Sequence, residues 1–227
     1  MTRRYDVIVF DWDGTLMDSE ARIVTCMQRA ALDAGLAVPD DADARDVIGL
    51  GLREAIAKLF ALHADADIEC VADAYRLHWL GNDVAAAAMF DGATDLLESL
   101  HEEGHLLAVA TGKSRRGLDK ALQDSGLAHF FHVTRCADEA FSKPHPQMLE
   151  DILTDLNASP LQAVVVGDTE YDMQMASNAG VAAVGVTHGV HSAERLLASG
   201  ARKCFADLRD LHRWLRAEND PVTGSWS

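Results

Sequence analysis

Short apolar runs alternate with helix-like segments along most of the chain, and this alternation constrains the fold more than any other feature of the sequence. The first run, Tyr5–Phe10, is followed at once by a polar loop. The later runs are Leu106–Ala110, Phe131–Thr134, Ala163–Val166, Ala182–Val186 and a short edge segment, Cys204–Phe205. Strands that alternate with helices favour a parallel sheet covered on both faces. We therefore predict an α/β fold with a Rossmann-like parallel sheet at its core.

Helical patterning fills the gaps between these strands, and several of the helical segments end at a glycine, as helices often do. The segments are Gly92–Glu103, Ser114–Ser125, Pro146–Leu156, Tyr171–Ala179 and Ser192–Ser199.

One stretch contains helical patterning only, and it interrupts the alternation after the first strand. Its helical segments are Arg22–Ala34, Ala42–Ile48, Leu52–Leu62 and Ala66–Leu80. A chain of 227 residues is long enough for one core with a small inserted domain. We predict a catalytic core of residues 1–17 and 89–217, a small inserted α-helical domain of residues 18–88, and a flexible tail of residues 218–227.

Composition narrows the possible functions. The net charge is −16, which disfavours a nucleic-acid binder, because such proteins need a basic face. The apolar runs are far shorter than the roughly 20 residues that span a bilayer, so we expect no membrane partner. The cysteines are scattered and suggest neither a disulfide framework nor a zinc site, which favours a cytoplasmic location: Cys26, Cys70, Cys136 and Cys204. His188 and His191 are interpreted as loop residues rather than a metal pair.

Two aspartates directly follow the first predicted strand. Ligands bind at the carboxyl ends of the strands in open α/β sheets, so Asp11 and Asp13 are expected there. Residues two apart in an extended segment point the same way, and two carboxylates that close call for a cation. Gly14 allows the chain to turn sharply after them. An ordinary Asp-Gly turn is the alternative explanation.

A possible phosphate cradle follows the second strand of the predicted core, where Thr111-Gly112-Lys113-Ser114 opens a helix. A P-loop would need a glycine at the position of Leu107, so that interpretation fails. A simple helix N-cap at Thr111 or Ser114 would also explain the sequence.

Two further motifs precede helices. Lys143 is followed by Pro-His-Pro, a stiff approach that would hold the lysine in a defined place, although a solvated surface lysine is the simpler alternative. Asp168, Glu170 and Asp172 end a hydrophobic strand and suggest a site for a hard cation such as Mg²⁺. Acidic residues at a helix N-terminus would account for only part of that cluster.

These four motifs, in this order, resemble the haloacid dehalogenase superfamily. The matching segments are DWDGT, TGK, KPHP and GDTEYD, and the helical stretch resembles the helical cap of that superfamily. Other segments, GLGLREAI, ATGKS and KPHPQML, look most like phosphoglycolate phosphatases and their close relatives. Trp12 departs from the pattern, where another apolar residue is usual, and its side chain is expected to point away from the aspartates.

The resemblance implies a Mg²⁺-dependent phosphatase that acts on a small phosphorylated metabolite, with a phosphoglycolate-type monoester favoured. Asp11 would be the nucleophile and Asp13 the general acid and base. The metal ligands would be Asp11, Asp168 and the Asp13 carbonyl, and Asp172 would support a metal-bound water or orient Lys143.

The same resemblance gives roles to residues around the phosphate. Thr111, the Gly112 backbone and Lys143 would stabilise the phosphoryl oxygens. Lys113 would only line the entrance. Arg53, in the cap, would bind an anionic group of the substrate, although an exposed helical arginine is equally compatible with the sequence.

Alternatives within the same fold stay open. A sugar phosphomutase of this type carries a histidine early in the cap, and Ala21–Cys26 contains none. A phosphonatase would need a cap lysine, for which Lys58 is the one candidate. A dehalogenase would lack Asp13, and a non-catalytic binding module would not need the whole set of acidic groups. The sequence is compatible with a monomer or a homodimer.

Overall fold

The structure of the chain is a computed structural model that describes residues 4–81 and 87–219. Its strands are β1 (Val7–Phe10), β2 (Met17–Asp18), β3 (Ala88–Met89), β4 (Leu106–Thr111), β5 (Phe131–Cys136), β6 (Ala163–Gly167), β7 (Ala182–Val186) and β8 (Cys204–Phe205). Its α-helices are α1 (Glu20–Asp33), α2 (Asp41–Asp46), α3 (Leu52–Phe60), α4 (Asp65–Leu80), α5 (Ala93–Glu102), α6 (Arg115–Ser125), α7 (Gln147–Asp155), α8 (Glu170–Asn178), α9 (Ala193–Ala198) and α10 (Leu208–Asn219).

Six of the strands form a parallel sheet in the order β5-β4-β1-β6-β7-β8. The first strand, β1, lies near the middle, where Val9 pairs with Ala108 on one side and Val165 on the other. All four residues of β1 are buried, as expected for a strand that helices cover on both faces. The predicted α/β fold with a Rossmann-like parallel sheet is confirmed.

Alternate residues of β1 point to opposite faces of the sheet and so belong to two separate core clusters. Ile8 and Phe10 pack in the cluster covered by α5, α6 and α10. Val7 and Val9 pack in the cluster covered by α7, α8 and α9. Both faces of the sheet are therefore packed against apolar side chains. This close packing holds the strand ends, which carry the polar loops, in fixed positions.

The C-terminal helix α10 was not predicted from the sequence. It buries Leu208, Leu211 and Leu215, which lie on one stripe of the helix, while its charged residues Arg209, Asp210, Arg213 and Arg216 are exposed. Helix α10 includes the first two residues of the predicted tail, residues 218–227, and residues 220–227 lie outside the described part of the chain.

Helices α1–α4, Glu20–Leu80, form what we call the helical insert. Its own apolar cluster includes Met27, Ile56 and Val71. At its base Met17 of β2 pairs with Met89 of β3 in a small antiparallel sheet that the sequence did not predict. The predicted domain boundaries, after residues 17 and 88, fall in this strand pair. Over the described residues no helix combines the length and the hydrophobicity that a membrane crossing requires.

Candidate active site

Neighbouring strands bring the polar loops together at one edge of the sheet. Asp11 follows β1, Thr111 ends β4, and Asp168 follows β6, and β1 lies between the other two strands. The backbone N–H of Asp11 still donates to the carbonyl of Val166 at 2.9 Å, so this residue is fixed to the sheet. The sheet order thus places the candidate residues in one crevice, as expected for parallel α/β folds.

Lys143 lies at the centre of this crevice, and its side chain is fully buried. Its Nζ donates to Asp11 Oδ1 at 2.7 Å and to Asp172 Oδ1 at 2.6 Å. Burial by itself would lower the pKa of this lysine, but the Asp11 and Asp172 carboxylates outweigh that effect and raise it. Lys143 is therefore a permanent cation that holds two carboxylates in place.

Asp168 is held by the loops on either side of it. Thr15 Oγ1 donates to its Oδ1 at 2.8 Å, and the Val190 backbone N–H donates to its Oδ2 at 2.9 Å. A Cβ atom at Gly14 or Gly189 would overlap this carboxylate, and Gly14 also has a φ of +83°. The glycine in the first motif is therefore needed for the turn and for the close packing against Asp168.

Burial, and after it repulsion between neighbouring carboxylates, raises the pKa values of Asp11 and Asp168. Burial raises the pKa of Asp11 to about 7; the Lys143 cation opposes this shift, and Asp172 and Asp13 add to it. Burial, together with Asp11 and Asp172, raises the pKa of Asp168 well above its usual range. The single positive charge of Lys143 does not neutralise three buried carboxylates, so a further cation would reduce the repulsion between them.

A divalent metal fits this arrangement. Carboxylate oxygens of Asp11, Asp168 and Asp172 all lie within 4.8 Å of one another, and the three residues are buried. Asp11 Oδ2 is buried and has no hydrogen-bond partner among the described residues, so its lone pairs are available to a ligand. Buried carboxylate oxygens are the donors that Mg²⁺ prefers. Asp172 belongs to this cluster, although the sequence placed it in a supporting role, whereas the carboxylate of Asp13 lies outside it.

Binding of Mg²⁺ to this cluster should stabilise the fold, because a metal that binds only the folded state shifts the unfolding equilibrium. At a concentration about 100-fold above its Kd, the gain is about 2.7 kcal/mol, or roughly 5–10 °C in Tm for a chain of this size. Differential scanning fluorimetry with and without MgCl₂ measures the shift. Asp168→Asn should abolish most of it, and the control Asp67→Asn, an exposed position on α4, should keep it. An equal shift in both variants would exclude Asp168 as a ligand.

Asp13 has different neighbours from Asp11. Its Oδ1 accepts from Ser19 Oγ at 2.5 Å, and Lys113 Nζ lies 2.8 Å from each of its carboxylate oxygens. Lys113 also lies 4.3 Å from the ring centroid of Trp79, in the helical insert. The sequence predicted Lys113 only at the entrance, but the structure places its largely buried side chain against Asp13. The contacts of Ser19 and Trp79 with this pair were not predicted from the sequence, since neither residue lies within one of the four motifs.

The predicted phosphate cradle lies under a loop of the helical insert. Thr111 is buried, and its Oγ1 accepts from the Lys113 backbone N–H at 3.2 Å. A Cβ atom at Gly112 would overlap the carbonyl oxygen of Leu50, so this position accepts only glycine while the loop stays in place. The neighbouring Gly51 N–H donates to Ser142 Oγ, next to Lys143, at 2.7 Å. The insert therefore contacts two of the four motif loops through its backbone.

Arg53 lies on the wall of the cavity above the aspartates, as do Thr111 and Gly112. Its guanidinium pairs with Asp65 at 2.8 Å and with Glu69, both on α4. A substrate anion would have to compete with these two carboxylates. The substrate-binding role of Arg53 stays a prediction.

The two loop histidines lie beside the candidate metal cluster. His188 Nε2 is 3.0 Å from the Thr15 carbonyl, and His191 Nδ1 accepts from the Glu170 N–H at 2.9 Å. Both therefore contact backbone of the motif loops. Trp12 is fully buried in the core, where its ring packs against Phe131.

Comparison with known proteins finds similar sequences and structures among hydrolases and phosphatases. A family model described as "Haloacid dehalogenase-like hydrolase" matches residues 8–186, a range that includes all four motif loops and the helical insert. The "Probable phosphatase IndB" of Dickeya dadantii is 31% identical over 225 residues, which cover 96% of this chain and 98% of that protein. A phosphoglycolate phosphatase of Agrobacterium fabrum is 30% identical over 80% of each chain. A solved structure, a "predicted phosphatase" from Clostridium acetobutylicum, superposes with a TM-score of 0.85 at 26% identity, covering 94% of this chain and 99% of that one.

Proposed function

The chain belongs to the haloacid dehalogenase-like hydrolase family, and from this premise we propose that it is a Mg²⁺-dependent phosphatase acting on a small phosphorylated metabolite through an aspartyl-phosphate on Asp11. One observation carries the proposal. Asp11 belongs to a cluster of three buried aspartates; its Oδ1 is held by Lys143, while its buried Oδ2 has no hydrogen-bond partner in the part of the chain that the structure describes. This arrangement leaves one oxygen of a fixed carboxylate available for reaction.

The metal would be held by Asp11, Asp168 and the Asp13 carbonyl, with Asp172 close enough to take part, and it would supply the positive charge that lets a carboxylate approach an anionic phosphate. Hydrogen bonds from Thr15 and Val190 fix the orientation of Asp168, which would be one of the metal ligands. Lys143 serves two purposes in the proposed reaction: it orients Asp11, and it neutralises charge on the transferring group.

In the first step, an Asp11 carboxylate oxygen would bond to phosphorus while the bond from phosphorus to the leaving oxygen breaks. Asp13 would give its proton to that leaving oxygen and would then accept a proton from the water that hydrolyses the aspartyl-phosphate. The hydroxyl of Thr111 and the backbone N–H of Gly112 would bind the phosphoryl oxygens. Ser19 and Lys113 fix the Asp13 carboxylate between turnovers.

We propose that the helical insert acts as a cap over this site. Backbone contacts at Gly51 and Leu50 support the assignment, as does the cavity that the insert and the sheet edge enclose together. A cap in this position would exclude water from the chemistry and would contact the leaving group. Phosphoglycolate, the substrate in the name of one relative and the ester favoured by the sequence resemblance, is the first candidate to assay.

The position of Lys58 argues against a phosphonatase. Burial lowers the pKa of this lysine, but hydrogen bonds to Tyr171 and Asp46 outweigh that effect and raise it. A lysine that forms a Schiff base needs a lowered pKa. Lys58 is also bound at a contact between insert and core, with Nζ 2.6 Å from the Tyr171 hydroxyl.

The proposed function predicts phosphate release from p-nitrophenyl phosphate that depends on added Mg²⁺. We expect EDTA to abolish the release and MgCl₂ to restore it, and a panel of phosphorylated metabolites should include substrates with a higher kcat/KM. Release that is unaffected by EDTA, or no release from any phosphoester, would overturn the proposal.

A further inference from the structure

The cavity between the helical insert and the catalytic aspartates has a volume of about 510 Å³. This lies in the range of sites that hold a drug-sized ligand. A two-carbon acid such as phosphoglycolate would fill only a small part of it. The volume therefore indicates a leaving group that is larger than that of the first candidate substrate.

The wall that the insert contributes is mainly apolar. The apolar and aromatic residues of this wall include Ile23, Leu50, Leu52, Tyr75, Trp79 and Leu80. Lys113 and the guanidinium of Arg22 lie 4.3 and 4.7 Å from the centroid of the Trp79 ring, and Tyr75 stacks beside it. Because these three side chains already contact the Trp79 ring, a substrate would contact mainly the aliphatic side chains of the wall.

The arginines of this wall form ion pairs with neighbouring carboxylates. Arg53 pairs with Asp65 and Glu69, and Arg76 pairs with Glu69 and Asp73. A carboxylate on the leaving group would have to displace one of these pairs. Among the described residues of the cavity, Arg116 is the cation without such a pair, and it lies exposed on α6 of the core rather than on the insert.

From this wall, and granted the phosphatase activity proposed above, we propose that the preferred substrates are phosphate monoesters whose alcohol carries a sizeable aliphatic body. The phosphate would bind at Asp11 and Thr111, and the aliphatic body would lie against the insert. Each buried methylene should then contribute about fourfold to kcat/KM until the wall is covered. Small polar or carboxylate-bearing esters would gain nothing from this surface.

A series of straight-chain alkyl phosphates tests the proposal. With Mg²⁺ present, kcat/KM should rise by at least about 100-fold from methyl to hexyl phosphate and should exceed that of phosphoglycolate. A flat series, or a higher kcat/KM for phosphoglycolate than for hexyl phosphate, overturns the proposal and leaves the proposed phosphatase function standing. No turnover of any ester overturns both.

Two leucines of α4 give a matched pair of variants. Leu80 lines the cavity and is 50% exposed, whereas Leu77 is 74% exposed and is not among the lining residues. We expect Leu80→Gln to lower the hexyl-to-methyl ratio of kcat/KM about threefold to tenfold, and Leu77→Gln to leave that ratio unchanged. Leu52→Gln, on α3, repeats the test from another part of the wall. Equal ratios in all three variants and the wild type would overturn the assignment of the wall.

Arg53→Ala provides an independent control. If the leaving group is aliphatic, this variant should change kcat/KM for hexyl phosphate and for phosphoglycolate by the same factor, because Arg53 then binds no carboxylate of the substrate. A loss of more than tenfold for phosphoglycolate alone, with that ester preferred by the wild type, would instead identify Arg53 as the ligand of a substrate carboxylate and would contradict the proposal.

Discussion

Replacement of Asp11 by asparagine is expected to abolish phosphate release, with a loss of about 10⁶-fold in kcat, the scale seen when a covalent nucleophile is removed. Asparagine has nearly the same shape, but its amide is a poor nucleophile. Asp11 lies where β1 ends and is almost completely buried, so a change of shape here would disturb the core, whereas a change of charge alone should not. The expected protein is folded and inactive.

The measurement is p-nitrophenyl phosphate hydrolysis with Mg²⁺, combined with circular dichroism and a thermal melt. Loss of one buried carboxylate also relieves repulsion of Asp168 and Asp172, so the metal-free Tm should not fall. Asp6→Asn is the matched control, since Asp6 precedes the same strand and accepts a hydrogen bond from Gln162. Hydrolysis by Asp11→Asn at near the rate of the control would contradict the assignment of the nucleophile.

Replacement of Lys143 by methionine is expected to have the largest effect on stability. Without its ammonium group, the buried carboxylates of Asp11 and Asp172 lose the cation that they share. Removing one partner of a buried ion pair costs about 3–5 kcal/mol in unfolding free energy. Urea denaturation in EDTA measures the loss, and activity with Mg²⁺ should fall as well, because a charge beside the phosphoryl group is removed.

The cause of that instability can be separated from the change in packing. Adding Asp172→Asn to the Lys143→Met variant removes one of the uncompensated charges, so the double variant should recover part of the lost free energy. Lys120→Met is the control for a surface pair, because Lys120 and Asp124 are exposed on α6 and should contribute less than about 1 kcal/mol. Equal losses for Lys143→Met and Lys120→Met would exclude the buried charge as the cause.

The parallel sheet was predictable because each strand is an uninterrupted apolar run with a polar loop after it. β1 and β6 are buried on both faces, and their sequences, VIVF and AVVVG, carry no competing helical pattern. The clustering of Asp11 and Asp168 follows from sheet order, which a sequence of alternating strands and helices restricts strongly. Local sequence therefore contained enough information to place these loops at one edge.

Side-chain direction was not predictable in the same way. Lys113 follows Thr111 by two residues, and nothing local indicates that its ammonium group turns inward to Asp13, a residue 100 positions away in the chain. Trp79 of the insert, which is also distant in the chain, lies against that lysine. The strand pair of Met17 with Met89 was missed for a related reason, since two-residue strands have no periodicity to detect.

The glycine-rich loop at Gly49–Gly51 has a consequence for protein engineering. A Cβ atom at Gly49 would come within 2.8 Å of Thr169 Oγ1, Leu50 lies over Gly112, and the Gly51 N–H binds Ser142. Core positions 112, 142 and 169 are thus matched in shape and hydrogen bonding to this loop of the insert. A chimera in which the helical insert is replaced by that of a relative should therefore also take the relative's residues at these three core positions. Otherwise the loop of the new insert will not pack against the core.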